Sequence, residues 1–288
     1  MAVSRKKTSP ATAPATSLPA FETIDVAARN AVALITLNRP ERHNAFDETV
    51  IAELTQALPL VERMEHVRAV VLLGAGESFC AGADLKWMKR MADYDHAANL
   101  ADARALARLL STLAGLSKPT IARVHGAAFG GGVGLVACCD IAIAAQAATF
   151  ALSEVKLGLI PSTISPYVIN AIGARHAGRY FLTGERFDSA EAFRIGLVHD
   201  IVPSLEALDA RINEVLGALL IAGPQAQAEA KLLVRAVAKR PIDEALIADT
   251  AERIARIRAT DEAREGMAAF LGRRPPAWVP QAETKKKR

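Results

Sequence analysis

Aromatic side chains are scarce in this 288-residue sequence: two Trp, three Tyr and nine Phe, 5% of the chain. Modules that read nucleic acid stack bases on exposed rings, so the shortage argues against that class. Cysteines are fewer still. Cys80, Cys138 and Cys139 show no metal-ligand spacing, and the adjacent pair is poorly placed for a structural disulfide. They read as small core residues of a reduced, cytoplasmic protein. Residues 1–20 are rich in Ala, Thr, Pro and Ser and lack the apolar centre of a secretory signal. They read as a disordered tail and leave a transit peptide open. A clean membrane span is also lacking. Residues 126–152 are almost uncharged, but Asp140 interrupts them and glycines crowd the first half, so the run reads as buried soluble core. The phosphate-loop pattern ending in Gly-Lys-Ser/Thr is absent.

What is present suits a folded protein. Apolar residues make up 51% of the chain, and its length supports one large domain with an appendage, or two modest ones. The net charge of +4 is concentrated at the ends, in Arg5, Lys6 and Lys7 and in Lys285, Lys286, Lys287 and Arg288. Without these the chain would be slightly acidic. They read as solvated tails rather than as a nucleic-acid or membrane surface.

Segments 21–27 and 31–38 read as two strands with a turn at Arg29–Asn30. A helix is expected from about Asp47, its N-cap, to Met64, bent or interrupted at Pro59. The apolar run 68–74 suits a strand covered on both faces. A helix over 95–115, a strand at 119–126, a short helix at 131–138 and a strand at 140–145 follow. This alternation predicts α/β with right-handed crossovers. After Pro203 the pattern turns helical, which places a boundary near 203.

Two glycine-containing loops stand out, FCAGADL (79–85) and GAAFGGGVG (126–134), each running from a strand end to a helix start. Such positions leave backbone N–H groups without intrahelical partners. Two of them converging make an anion site of the oxyanion-hole type, and small residues let a ligand reach the backbone. Ala83 and Gly131 are the expected donors. Glu154 lies among apolar residues in FALSEVKLGLIPS (150–162). Desolvation there would raise its pKa and suit it to general acid–base work; pairing with Lys156 or capping a helix is the structural alternative. Asp84 is expected to cap the helix after Ala83, and Asp140 to satisfy backbone donors. GVGLVA (132–137) matches a dinucleotide pattern, but it falls after other glycines and too late in the strand order.

AGADLKWM (81–88), HGAAFGGGVGLVACCDIAIA (125–144) and SEVKLGLIP (153–161) resemble the enoyl-CoA hydratase/isomerase, or crotonase, family. LNRPERHNAF (37–46), FLTGERFDSAEAFRIGLVHDIV (181–202) and EGMAAFLGRRPP (265–276) extend the likeness over residues 21–276. The resemblance implies a crotonase-like spiral of ββα units over 21–203, carrying the active site. It implies a C-terminal helical domain over 204–276 that assembles trimers or dimers of trimers, with a basic tail at 277–288. It implies Ala83 and Gly131 as oxyanion donors and Glu154 as the catalytic carboxylate. Ala81, Ala83, Asp84, Leu85, Lys86 and Gly131 would border the acyl-CoA thioester. Arg42 and Ala45 would touch its CoA portion, and Phe270 and Arg273, on the last helix, would reach a neighbouring subunit's CoA. No metal or cofactor is implied, CoA being part of the substrate.

One departure matters. The family's hydratases carry two catalytic glutamates, and the position of the first is Gly134 here. Single-carboxylate isomerisation and non-catalytic acyl-CoA binding therefore stand beside hydration. Within the family, ADLKWM and SEVKLGLIPSTISPYV look like bacterial methylglutaconyl-CoA hydratases of leucine and acyclic-terpene breakdown.

Overall fold

The computed structural model describes residues 19–279. Both terminal cation clusters, and nearly all of the two expected tails, lie outside the described residues. The chain begins with an antiparallel hairpin, β1 (Ile24–Arg29) and β2 (Val32–Leu37). Its turn is Asn30–Ala31, one residue later than expected, with φ of 50° and 67°. Two left-handed residues give a turn whose twist matches the flanking strands.

Helix α1 (Glu48–Glu62) is capped by Asp47, which accepts the Thr49 and Val50 N–H groups. The expected interruption at Pro59 does not occur. The buried stripe Val50, Leu54, Ala57, Leu58 and Val61 continues across it, and packing of that stripe outweighs the one lost hydrogen bond. There follow β3 (Ala69–Gly74), α2 (Leu85–Met91), α3 (His96–Gly115), β4 (Thr120–Val124), β5 (Ala127–Phe129), α4 (Gly131–Cys138), β6 (Ile141–Ala145) and β7 (Thr149–Ala151). Next come α5 (Ser165–Thr183), β8 (Arg186–Asp188), α6 (Ser189–Arg194) and β9 (Asp200–Val202). Four helices close the described chain: α7 (Leu205–Ile221), α8 (Pro224–Val237), α9 (Glu244–Arg258) and α10 (Asp261–Leu271).

The strands form two sheets. The larger has the order β1-β2-β3-β4-β6-β9, parallel from β2 onward. The smaller, β5-β7-β8, is extended by a parallel bridge between Ala128 and Cys80. Each turn thus lays one strand in the large sheet, one segment in the small sheet and then a helix, which is the crotonase-like spiral of ββα units.

Strand periodicity explains why the large sheet is apolar on both faces. Val70 and Leu72 point into the main core with Leu54, Leu58 and Leu110. Ala69 and Val71 point the other way, with Ile121 and Ile143, onto Leu208, Ile212 and Leu216 of α7. Those three residues recur every fourth position and share one helix face. The boundary expected near 203 falls between β9 and α7, and α7 folds back over the sheet.

Asp140 joins α8 to the sheet. Its Oδ2 accepts from Thr120 N (2.8 Å), Thr120 Oγ1 (2.9 Å) and Lys231 Nζ (2.6 Å). It satisfies a backbone donor as expected, and binds a lysine the sequence did not disclose. The Lys231 side chain is only 10% exposed, so removing its partner leaves a nearly buried charge. Asp140→Ala should cost about 3 kcal/mol of stability, measured by urea unfolding. Asp140→Ala and Asp140→Ala/Lys231→Met should differ, with the double variant the more stable.

Candidate active site

The two glycine-containing loops are held together through their main chains. Phe79 N–H donates to His125 O (2.9 Å), Cys80 N–H to Ala127 O (3.0 Å), and Phe129 N–H to Cys80 O (2.9 Å). Gly130 N–H then donates to Ala151 O (2.8 Å), three residues before Glu154. On the other side, Phe46 N–H donates to Gly82 O and Asp84 N–H to Phe46 O, both at 2.7 Å. In a parallel bridge of this form the central residue, Ala83, turns its own N–H away from Phe46.

Gly131 is the first residue of α4, so its N–H has no intrahelical acceptor. Among the described residues neither the Ala83 nor the Gly131 N–H donates to a protein group. Ala83 is exposed and Gly131 half-buried. Space is tight around them. A Cβ built on Gly130 would lie 3.1 Å from Glu154 Oε1 and 4.0 Å from Gly82 Cα; one on Gly131 would lie 2.6 Å from the Phe46 ring. Gly130 has φ 50° and ψ −116°, a backbone shape that a side chain resists. Glycine here lets the carboxylate approach the turn.

Glu154 opens a 3₁₀ turn, Glu154–Leu157, directly after β7. It is half-buried, and its Oε2 is buried without a hydrogen-bond partner. Burial raises its pKa above the ordinary glutamate value, against a weaker lowering by its own backbone N–H. The alternative pairing with Lys156 is not made. That lysine runs along Gly184, with Cε 3.2 Å from a Cβ built there.

Asp84 faces inward, at 4% exposure. Oδ1 caps α2 by accepting from Lys86 and Trp87 N–H. Oδ2 accepts from Arg42 Nη1 (2.7 Å) and Arg39 Nη2 (3.1 Å). Burial pushes the Asp84 pKa upward, but Arg42 and the two cap N–H groups outweigh it and hold the carboxyl down at about 2. Asp84 thus fixes the end of the Ala83 loop, with both carboxylate oxygens taken up by protein donors. Arg42 is tied to it, half-exposed. Ala45 is buried, its carbonyl accepting from Arg39. Ala81 is half-buried, and Leu85 and Lys86 are exposed beside Ala83. Phe270 is 84% exposed on α10. Arg273 is also exposed, but two residues past the end of that helix rather than on it.

The rival dinucleotide reading fails on geometry. Gly132 and Gly134 lie inside α4 and are buried, so neither belongs to a phosphate-cradling turn. The three cysteines are free and buried, and burial raises Cys80 and Cys139 to about 12. His43 Nδ1 lies 3.1 Å from Ser78 Oγ and His125 Nε2 lies 2.8 Å from Gly76 O, so both serve the loops. Sequence reasoning missed Phe46 as the residue joining the loops, and Arg39 as Asp84's second partner. A lone aromatic between two loops carries no periodic signal.

A ββα spiral with two such loops beside one isolated carboxylate defines a crotonase-like protein. A family model for enoyl-CoA hydratase/isomerase matches residues 27–281. The chain is 35% identical to the enoyl-CoA hydratase ACTT6 of Alternaria alternata over 245 residues, 85% of this chain and 80% of that protein. Its structure is similar to an enoyl-CoA hydratase from Shewanella pealeana (46% identity, TM-score 0.87, 90% of this chain and 96% of that one). It is also similar to an enoyl-CoA hydratase of Mycobacterium smegmatis (33% identity, TM-score 0.83, 90% and 100%). The chain belongs to the enoyl-CoA hydratase/isomerase family.

Two stability effects follow from the carboxylates. Asp84 has a folded pKa below its ordinary 3.8, so its contribution is complete above about pH 4 and lost as pH falls toward 2. Asp84→Asn should lose about 2 kcal/mol at pH 7, with the gap to the parent closing on acidification in denaturant titrations. Glu154 has the opposite sign. Its raised pKa gives stability that is complete in acid and lost as pH rises through the folded value. Glu154→Gln should therefore melt higher than the parent at pH 8 and equal to it near pH 4; a lower melting temperature at pH 8 would contradict the isolated charge.

Proposed function

We propose that this protein adds water across the 2,3 double bond of a 2-enoyl-CoA thioester. The observation that carries this reading is the unpaired, half-buried Glu154 carboxylate beside two loops that leave the Ala83 and Gly131 N–H groups unbonded. The thioester oxygen sits against those N–H groups. Glu154 takes a proton from water as its oxygen attacks C3, and the C2–C3 π electrons move onto the thioester as an enolate. The enolate oxygen is held by the two N–H groups. The protonated Glu154 then delivers its proton to C2, the carbonyl re-forms, and the carboxylate is restored. Each donor contributes about 2.7–4 kcal/mol of transition-state stabilisation in sites of this kind. The reaction as written needs no metal or redox cofactor.

Ala81, Leu85 and Lys86 border the thioester end, and Arg42 and the loop to Ala45 border the CoA portion. The branch likeness in the sequence supports 3-methylglutaconyl-CoA as the acyl group. Homo-oligomerisation, as a trimer or dimer of trimers, is supported by the exposed apolar residues of the C-terminal helices, among them Val234 (65%), Phe270 (84%) and Leu271 (80%). In that assembly Phe270 and Arg273 would reach a neighbour's CoA.

Isomerisation is the second reading, favoured by glycine at 134, which leaves one carboxylate to shuttle a proton between C2 and C4. A CoA-thioester panel followed by mass spectrometry in ¹⁸O-labelled water separates the two. Hydration predicts labelled 3-hydroxyacyl-CoA. Conversion of 3-enoyl- to 2-enoyl-CoA without label predicts isomerisation. Glu154→Gln should lower kcat by about 10²–10⁴-fold. In the parent, kcat/KM should fall with acidification through a pKa above the ordinary glutamate value. Unchanged activity in the Gln variant would remove Glu154 from the reaction.

A further inference from the structure

Helix α4 carries a second constraint on the same site. Residues 131 and 134 are three apart and share a helix face, and Gly134 N–H donates to Gly130 O (3.1 Å). A side chain at 134 would therefore look out on the side of Gly131, one turn along. That space is filled. A Cβ built on Gly134 would collide with Ile164 Cγ2, lie 2.9 Å from Ile164 Cβ, and lie 3.6 Å from Leu110 Cδ2. Ile164 is 2% exposed and Leu110 is fully buried. Ile164 has little freedom to move. It is the N-cap of α5, and its carbonyl accepts from Val168 and Tyr167 N–H at 3.1 Å.

We propose that Ile164 is a specificity-determining residue, whose side chain keeps position 134 bare and so restricts this site to the single acid–base group Glu154. The inference rests on the thioester reading above. Ile164 comes ten residues after Glu154, so one stretch of chain supplies both the carboxylate and the apolar wall that denies it a partner. The wall offers no proton donor and no water-binding atom. Every proton moved at the reacting carbons then passes through Glu154, and the partition between hydration and isomerisation is set by the water that this one carboxylate can orient.

Two measurements test this, one independent of turnover. Alanine is ordinarily a better helix residue than glycine, so Gly134→Ala in an unobstructed helix would raise the melting temperature. Collision with Ile164 predicts that it falls, and that Gly134→Ala costs less in an Ile164→Ala background. A rise in the parent background would overturn the proposal. The second measurement uses Gly134→Glu/Ile164→Gly, since glycine is well tolerated at an N-cap. The parent should show one ionisation in kcat/KM against pH. The double variant should show two, with ¹⁸O incorporation at least tenfold above Ile164→Gly alone. A double variant with one ionisation and an unchanged product ratio would also overturn it. Should the parent convert no enoyl-CoA, the thioester reading fails, while the melting-temperature comparison still decides what Ile164 does.

Discussion

The site depends on a few main-chain hydrogen bonds between segments far apart in sequence. Cys80, Ala127 and Phe129 exchange N–H and C=O groups, Phe46 clamps Gly82 and Asp84, and Gly130 is tied to Ala151. Backbone amides cannot be repositioned by rotamer changes, so donors built this way are fixed before a ligand arrives. Preorganisation of that sort is what makes an oxyanion site effective. The bonds also explain the small residues. Gly131 and Gly132 sit where the Phe46 ring and the Cys80 backbone already fill the place of a side chain, while Gly82 and Gly130 closely face the Phe129 carbonyl and the Glu154 carboxylate.

Charge at the site is distributed so that the Asp84 carboxylate is paired and the Glu154 carboxylate is not. Asp84, Asp140 and Glu191 are each held by a cation or by backbone donors, as buried or half-buried carboxylates ordinarily are. Glu154 differs from these, and so does the half-buried Asp102 on α3, whose pKa is also raised by desolvation. Glu154 is half-buried, lacks a cation, and its pKa is raised by desolvation. Such a group weakens the fold at neutral pH and gains reactivity in return, which is the usual relation between stability and acid–base chemistry at a working site. The neighbouring Arg39–Asp84–Arg42 cluster does the reverse, anchoring the loop that ends at α2.

Much of the architecture was legible in the sequence because it rests on local rules. Asp47 and Asp84 follow cap chemistry, the run 68–74 announced a strand covered on both faces, and residues 131–138 form the short helix expected there. The misreadings also have local causes. Pro59 argues for a break when only its own neighbourhood is considered, and the packed stripe of α1 overrides it. The Arg29–Asn30 turn was off by one, because Ala31 takes a left-handed shape that alanine does not advertise. Of the site, Glu154 and the two loops could be named as candidates, but their approach could not.

The sequence alone determined the family, the order of elements, and the residues able to supply two free amides and a carboxylate, because caps, periodicity and glycine turns are encoded within a few residues of one another. Only the tertiary structure decided that the Ala83 and Gly131 loops are joined, that Glu154 goes unpaired while Lys156 turns to Gly184, and that Ile164 fills the space beside Gly134. Those outcomes depend on which segments the spiral stacks together, and burial, ion pairing and steric exclusion arise only once that stacking is complete.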